Sequence, residues 1–138
     1  QGNKQQGSDM NSLNADVVVI GGGPAGACAA TVLAQKGRKV ILLEKEQFPR
    51  YHVGESLIPF CYFPLKRIGM IERLQNSHFV EKRSVQFVGK SGRASQPFYF
   101  HEHSDHESSV TWQVERAEFD TWMLANARDK HQNQEKAQ

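Results

Sequence analysis

The chain has 138 residues, enough for one domain of average size. Apolar residues make up 38% and charged residues 23%, a balance that fits a soluble folded protein and not a disordered one. Net charge is only +2 with both signs interspersed, and no run approaches the ~18 consecutive apolar residues of a membrane span, so composition gives no case for nucleic-acid binding or stable membrane insertion. The two cysteines, Cys28 and Cys61, lack CxxC spacing and read as reduced thiols, and the start shows no basic region leading into an apolar core. The expected location is cytoplasmic.

Residues 1–14 are rich in Gln, Asn, Gly and Ser and read as a disordered tail or tag remnant outside the fold. Asp16–Ile20 is a β-branched run of the kind found in strands buried on both faces, and Val40–Glu44 is a second. Between them Ala25–Lys36 carries Ala25, Ala29, Val32 and Leu33 at helical spacing and stops at Gly37. Strand, helix and strand within about 30 residues predict a right-handed βαβ unit. Lys45–Leu57, punctuated by Pro49 and Gly54, reads as a long functional loop. Pro59–Leu74 is helical in pieces, with Pro64 and Gly69 as interruptions. Ser84–Val88 and Pro97–Phe100 predict an antiparallel hairpin around Gly89–Gly92, and Val110–Val114 a further strand. Arg116–Arg128 is a helix with Phe119, Trp122, Met123 and Ala127 near one face, and residues 128–138 are a polar, frayed or cut end.

Gly21-Gly22-Gly23-Pro24-Ala25-Gly26 lies between the first strand and the first helix and holds G-x-G-x-x-G at Gly21, Gly23 and Gly26. That pattern permits a tight turn, lets a pyrophosphate approach the backbone, and lets the helix pack on the strand. Free N–H groups and the positive end of the helix dipole then favour phosphate charge. Pro24 costs little there, because N–H groups in the first turn lack intrahelical partners. Glu44 ends the second strand 18 residues past Gly26, where a carboxylate accepts hydrogen bonds from an adenosine ribose and disfavours a 2′-phosphate. The predicted dinucleotide site is Gly21, Gly23, Pro24, Ala25, Gly26, Glu44 and the adjoining Lys45.

With GGGPAG leading into an Ala- and Leu-rich helix, the chain resembles FAD-binding flavoproteins. Phe48-Pro49-Arg50, then Gly54-Glu55-Ser56-Leu57 and Pro59, resembles the flavin-dependent halogenases and their relatives, a superfamily that also holds p-hydroxybenzoate-hydroxylase-like monooxygenases and geranylgeranyl reductases. The stretch from Trp112 to Asp120 is similar to the family's (W/Y)-Q-V-x-R-x-x-F-D block. The resemblance covers Asp16 to Arg128 and implies FAD as cofactor. It implies the three glycines at the pyrophosphate, Glu44 at the ribose, and Arg50 near the adenosine and phosphate portion. It further implies Gly54, Glu55 and Ser56 as a strap beside the flavin ring, and Gln113 and Arg116 at the ribityl and phosphate portion. The residue chemistry agrees, since guanidinium groups pair with phosphate and glycine lets backbone approach a planar ring.

In the halogenases that the chain resembles, a lysine precedes the strand after the GES region, and Lys82 in Glu81-Lys82-Arg83-Ser84 matches it. The resemblance implies a catalytic role: directing hypohalous acid, formed from halide with reduced FAD and oxygen, toward an electron-rich substrate. A partly desolvated amine suits that task, whereas a charged triplet is also the ordinary pattern of a solvated face, and both readings stay open. His101 to Glu107 has the residue types of a metal site but no rigid element, and reads as a solvated loop, so no metal is expected. Cys28 is expected to pack the first helix against the sheet, and Trp112, Trp122 and the other aromatics to form core.

These expectations combine into an α/β fold. Residues 15–138 would form part of a Rossmann-like FAD-binding domain of the three-layer ββα type, incomplete, with the hairpin region at about 80–114 beginning a substrate-domain β-sheet. The chain would be the N-terminal piece of a longer enzyme, weak in cofactor binding and without turnover alone, with the family's W-x-W-x-I-P signature and a later G-D motif beyond residue 138. The first functional reading is a halogenase-like FAD monooxygenase acting on a small-molecule substrate, with a separate flavin reductase as candidate source of reduced FAD. The alternatives are a geranylgeranyl-reductase-like flavoprotein and a non-catalytic structural or interaction module.

Overall fold

In the computed structural model, which describes residues 14–137 with side chains to residue 133, the two β-branched runs lie side by side in parallel. The expected tail falls outside these residues, apart from Asn14. Strand β1 (Val17–Ile20) and strand β2 (Val40–Leu43) pair Val17 with Val40 and Ile20 with Leu43, and helix α1 (Pro24–Gln35) connects them as the βαβ pattern predicts. The fold is mixed α/β, as expected.

The reading of both strands as buried on two faces is corrected. Side chains alternate along a strand. Val17, Val19, Val40 and Leu42 are half-buried on the helix side, while Val18, Ile20 and Leu43 are 54%, 86% and 52% exposed on the other. No described element covers that second face.

The stripe that α1 buries also differs from the expected one. Ala27, Ala30, Thr31 and Ala34 are buried, and Ala25 and Ala29 are exposed. The cause is tertiary: α4 (Arg116–Ala137) lies along α1, and small side chains on the facing stripe allow the close approach. Thr31 fits there because its hydroxyl donates to the Ala27 carbonyl at 2.8 Å. Helix α4 also continues past Arg128, so the polar end is helical.

The middle of the chain follows the expected order with shorter elements. A 3₁₀ turn (Pro59–Cys61) leads into α2 (Tyr62–Arg67) and then α3 (Ile71–Gln75). Gly69 separates the two helices, but Pro64 interrupts nothing. It is the third residue of α2, where a missing N–H forfeits no helical bond. Strand β3 (Val80–Lys82) pairs antiparallel with β6 (Thr111–Gln113), and β4 (Ser84–Val85) with β5 (Phe98–Tyr99). The hairpin between them closes through a Val88–Ala94 bridge.

The core sits between α1, α2, α3, β6 and α4, where Ile68, Leu74, Val114, Phe119 and Met123 are buried together. Cys28 is half-buried and packs against this cluster, which includes Trp112 of β6. Burial raises the Cys28 thiol pKa, and the nearby Arg67 charge offsets part of that rise. The aromatics divide. Trp112 is buried, whereas Tyr51 on the loop, Phe60 and Phe63 on the outer side of the 3₁₀ turn and α2, and Phe87, Phe98 and Tyr99 on the hairpin are exposed. Phe119 is 1% exposed in the centre of the cluster, so Phe119→Ala is expected to lower the unfolding free energy by about 3–5 kcal/mol in urea denaturation.

Candidate functional site

The site begins where β1 runs out. Gly21 turns the chain with φ +101°, while its N–H still donates to the Leu43 carbonyl at 2.7 Å. Gly23 caps α1 in an extended conformation, Pro24 takes the first helical turn, and Ala25 follows, exposed. The third glycine is required by contact: a Cβ at Gly26 would stand 1.9 Å from the Gly21 carbonyl oxygen. At Gly23 the nearest atom to such a Cβ is Arg50 Nη2 at 3.6 Å, so the backbone there faces open space bordered by a guanidinium.

Glu44 follows β2. Its Oε2 accepts from the Gly22 N–H at 2.6 Å and its Oε1 from the Glu46 N–H at 2.9 Å. The Glu46 and Gly22 N–H groups hold the carboxyl below the usual carboxylate range, with a smaller contribution from the Arg50 charge, against a modest opposing effect of burial. Each oxygen keeps lone-pair capacity for a further donor. A cleft of about 650 Å³ at the carboxyl ends of β1 and β2 gathers Gly21, Gly23, Glu44, Lys45 and Arg50, with Glu46 and His52 at its wall. Strand ends of an open α/β sheet are the usual ligand position. A second cleft of about 520 Å³ opens between α1, β2 and α4 and shares Glu44.

Arg50 is held on three sides. Its Nη1 donates to Asp120 Oδ2 at 3.1 Å, its Nε lies 2.9 Å from Glu46 Oε2 without hydrogen-bond alignment, and its guanidinium stacks 4.6 Å over the Phe48 ring. Arg116 uses its fork differently from a free phosphate anchor. Nε and Nη2 donate to Asp120 at 2.8 and 3.0 Å, and Nη1 donates to the carbonyls of Val53 and Gly54 at 3.0 and 3.4 Å. Gly54 has φ +110° with Arg116 Nη1 3.1 Å from its Cβ position, so a side chain there would be both strained and crowded.

The segment after Gly54 behaves as a third strand beside β6. The Val114 N–H donates to the Glu55 carbonyl at 2.8 Å, the Leu57 N–H donates to the Trp112 carbonyl at 3.0 Å, and Ser56 bridges Gln113. β6 therefore has partners on both edges, the strap on one and β3 on the other. Lys82, half-buried at the end of β3, reaches across so that its Nζ donates to Ser56 Oγ, with the Phe100 ring 5.8 Å away. The Gln113 side chain is exposed.

The predicted residues thus form two groups: the phosphate-end set of Gly21, Gly23, Pro24, Ala25, Gly26, Glu44, Lys45 and Arg50, and the strap set of Gly54, Glu55, Ser56, Lys82, Gln113 and Arg116. Sequence reasoning passed over Asp120, which joins them and is fully buried. Its i, i+4 spacing from Arg116 was the available signal. The histidines of the 101–107 loop do not converge. His103 stacks on Phe98, His101 lies by Tyr99, and His106 accepts from the Ser108 N–H. Among the described residues, His78, Glu115 and Glu118 form the one group with metal-ligand proximity, and His78 and Glu118 pair there at 3.3 Å on the surface. No described helix is long and apolar enough to cross a membrane.

Residues 16–138 match the family model described as tryptophan halogenase. The chain is 42% identical over 115 residues to the flavin-dependent halogenase armH3 of Armillaria mellea, covering 83% of this chain and 22% of that protein. It is 40% identical over 105 residues to the flavin-dependent halogenase ptaM of Pestalotiopsis fici, covering 75% and 19%. Among solved structures it is similar to the myxobacterial chondrochloren halogenase CndH, with TM-score 0.77 and 38% identity over 84% of this chain and 27% of that one. It is also similar to the flavin-dependent brominase Bmp2, with TM-score 0.70 and 33% identity over 86% and 28%. The chain spans about a fifth of the length of the curated relatives it matches. These likenesses favour the halogenase branch over the geranylgeranyl reductases.

Two outcomes are expected from this geometry. Gly26→Ala should push α1 off β1 and lower stability by about 1–3 kcal/mol in thermal denaturation. Glu44 has a depressed pKa in the folded state, so the stability it contributes is present above its unfolded pKa and lost as pH falls through the lower folded value. Glu44→Gln should therefore be less stable than the wild type at neutral pH, with the difference closing only below the usual carboxylate range in denaturation followed against pH.

Proposed function

Since this chain belongs to the tryptophan halogenase family, we propose that it supplies the N-terminal FAD-binding part of a flavin-dependent halogenase acting on an electron-rich small molecule. The observation that carries the reading is the convergence of the glycine turn, Glu44, Lys45 and Arg50 on one cleft. In this reading residues 15–138 are one FAD-binding unit, and the region of about 80–114 starts the substrate-side sheet. A separate flavin reductase provides reduced FAD, and the protein works in the cytoplasm.

The residues present fit the dinucleotide. Gly21, Gly23 and Gly26, with Pro24 and Ala25, present the open end of α1 to the diphosphate, and Arg50 adds a guanidinium at the same place. Glu44 accepts from the ribose hydroxyls with the lone pairs left over from Gly22 and Glu46, and Lys45 adjoins the adenosine. Gly54, Glu55 and Ser56 form the wall beside the flavin ring, supported by Arg116, and Gln113 serves the ribityl side from its exposed position. Bound reduced FAD supplies, with oxygen, the oxidising equivalents that turn halide into hypohalous acid. Lys82 holds and aims that oxidant through an N–H or its lone pair. Ser56 fixes the amine against the strap by accepting a hydrogen bond from it, and the Phe100 ring lies over one side of it.

The test uses the full-length protein with reduced FAD, oxygen and halide. Halogenated product should form only when halide is supplied. Lys82→Ala should lower it by about 100-fold or more while leaving bound-FAD absorbance intact. Unchanged halogenation in that variant would remove Lys82 from the reading, and reduction of isoprenoid double bonds without halide would replace the reading altogether.

A further inference from the structure

Asp120 lies one turn into α4 with 0% exposure. A carboxylate so placed is costly unless it is paired and hydrogen-bonded, and this one receives three charged donors. Oδ1 accepts from Arg116 Nε at 2.8 Å, and Oδ2 accepts from Arg116 Nη2 at 3.0 Å and from Arg50 Nη1 at 3.1 Å. The Arg116 pair is made within α4 by i, i+4 spacing. Arg50 comes from the loop after β2, 70 positions earlier in the chain.

The remaining donors of the two arginines point to opposite ends of the site. Arg50 Nη2 lies beside Gly23, at the phosphate end. Arg116 Nη1 holds the carbonyls of Val53 and Gly54, at the strap end. Both side chains are nearly enclosed, 12% and 13% exposed, so neither can swing away to solvent without breaking the arrangement. Just beyond Gly54 the strap is clamped to β6 through Glu55 and Leu57. One carboxylate is therefore shared by a guanidinium at the cradle and a guanidinium at the strap.

We propose that Asp120 is a positioning residue that couples occupancy of the phosphate cradle to the setting of the 53–57 strap. This rests on the dinucleotide reading above. A diphosphate that engages Arg50 Nη2 beside Gly23 pulls on Oδ2 through Nη1 of the same guanidinium. The two-pronged Arg116 moves with its carboxylate, and the Val53 and Gly54 carbonyls follow Arg116 Nη1. The flavin wall is thereby set from the phosphate end before any ring reaches it. A pair that served stability alone would hold loop to helix equally with the cradle filled or vacant.

The experiment follows backbone amide hydrogen exchange over residues 51–58 in the full-length protein, with ADP as the probe, because ADP has the diphosphate and no flavin. In the wild type, saturating ADP is expected to slow exchange there by about 5- to 150-fold, the usual range of a coupling between sites. In Asp120→Asn, ADP at saturation should leave strap exchange within about twofold of the ADP-free protein, which is effectively no coupling on that scale. Should that variant fail to fold, Arg116→Lys keeps the charge but lacks the planar fork that spans Asp120 and the Val53 carbonyl, and the same loss is expected. Wild-type-like slowing in either folded variant overturns the coupling, as does ADP binding to the wild type without slowing. Failure of the wild type to bind either ADP or FAD is a separate result, which overturns the dinucleotide reading and this inference with it.

Discussion

The first turn of α1 comes so near the end of β1 that no side chain fits at Gly26, and the cleft takes its shape from that approach. With the helix seated on the strand, its leading N–H groups open toward the space beyond β1 and β2. Gly22 is brought onto the Glu44 carboxylate, and Gly23 is left facing Arg50. One steric fact thus arranges an array of donors and an adjacent acceptor, which is the complementary pattern of a nucleotide diphosphate and its sugar. The long packing of α4 along α1 then places Asp120, and through it Arg50 and Arg116, against the same end of the molecule.

The other organising element is β6, three residues long and used on both edges. Its backbone holds the strap through Glu55 and Leu57, the Leu57 side chain packs against the core, and the Ser56 hydroxyl is left to meet Lys82. Trp112 and Val114 anchor the same strand in the core. The route from buried packing to the candidate lysine is therefore short. Core residues hold β6, β6 holds β3 and the strap, and Lys82 and Ser56 meet across them.

Much of this was legible in the residues. G-x-G-x-x-G between a β-branched run and a helix, with Glu44 after the next strand, defined the βαβ unit and its cleft, because each glycine answers to local geometry. The strap and Lys82 were found by motif resemblance, since nothing in local spacing shows that residues 55–57 will pair with residues 112–114. Long-range pairing also explains the errors. Ala25 and Ala29 looked like a core stripe because helical spacing cannot say which of two neighbouring stripes will meet α4. The β1 and β2 runs looked doubly buried because composition reports what a strand can bury, not what lies over it. Asp120 closed the family block without a role because its second partner, Arg50, lies 70 positions earlier in the chain.

The two-edged use of β6 has a consequence for how this segment can change over evolutionary time. Lys82 is secured before the chain enters the exposed hairpin of residues 86–97, and after it β5 pairs with β4 and β6 pairs with β3. Extra or missing residues at the Gly89–Gly92 tip would lengthen or shorten a surface projection while the amine keeps its height above the strap. The tip can thus diversify in length between homologues and present new contacts, decoupled from Lys82 a few residues upstream.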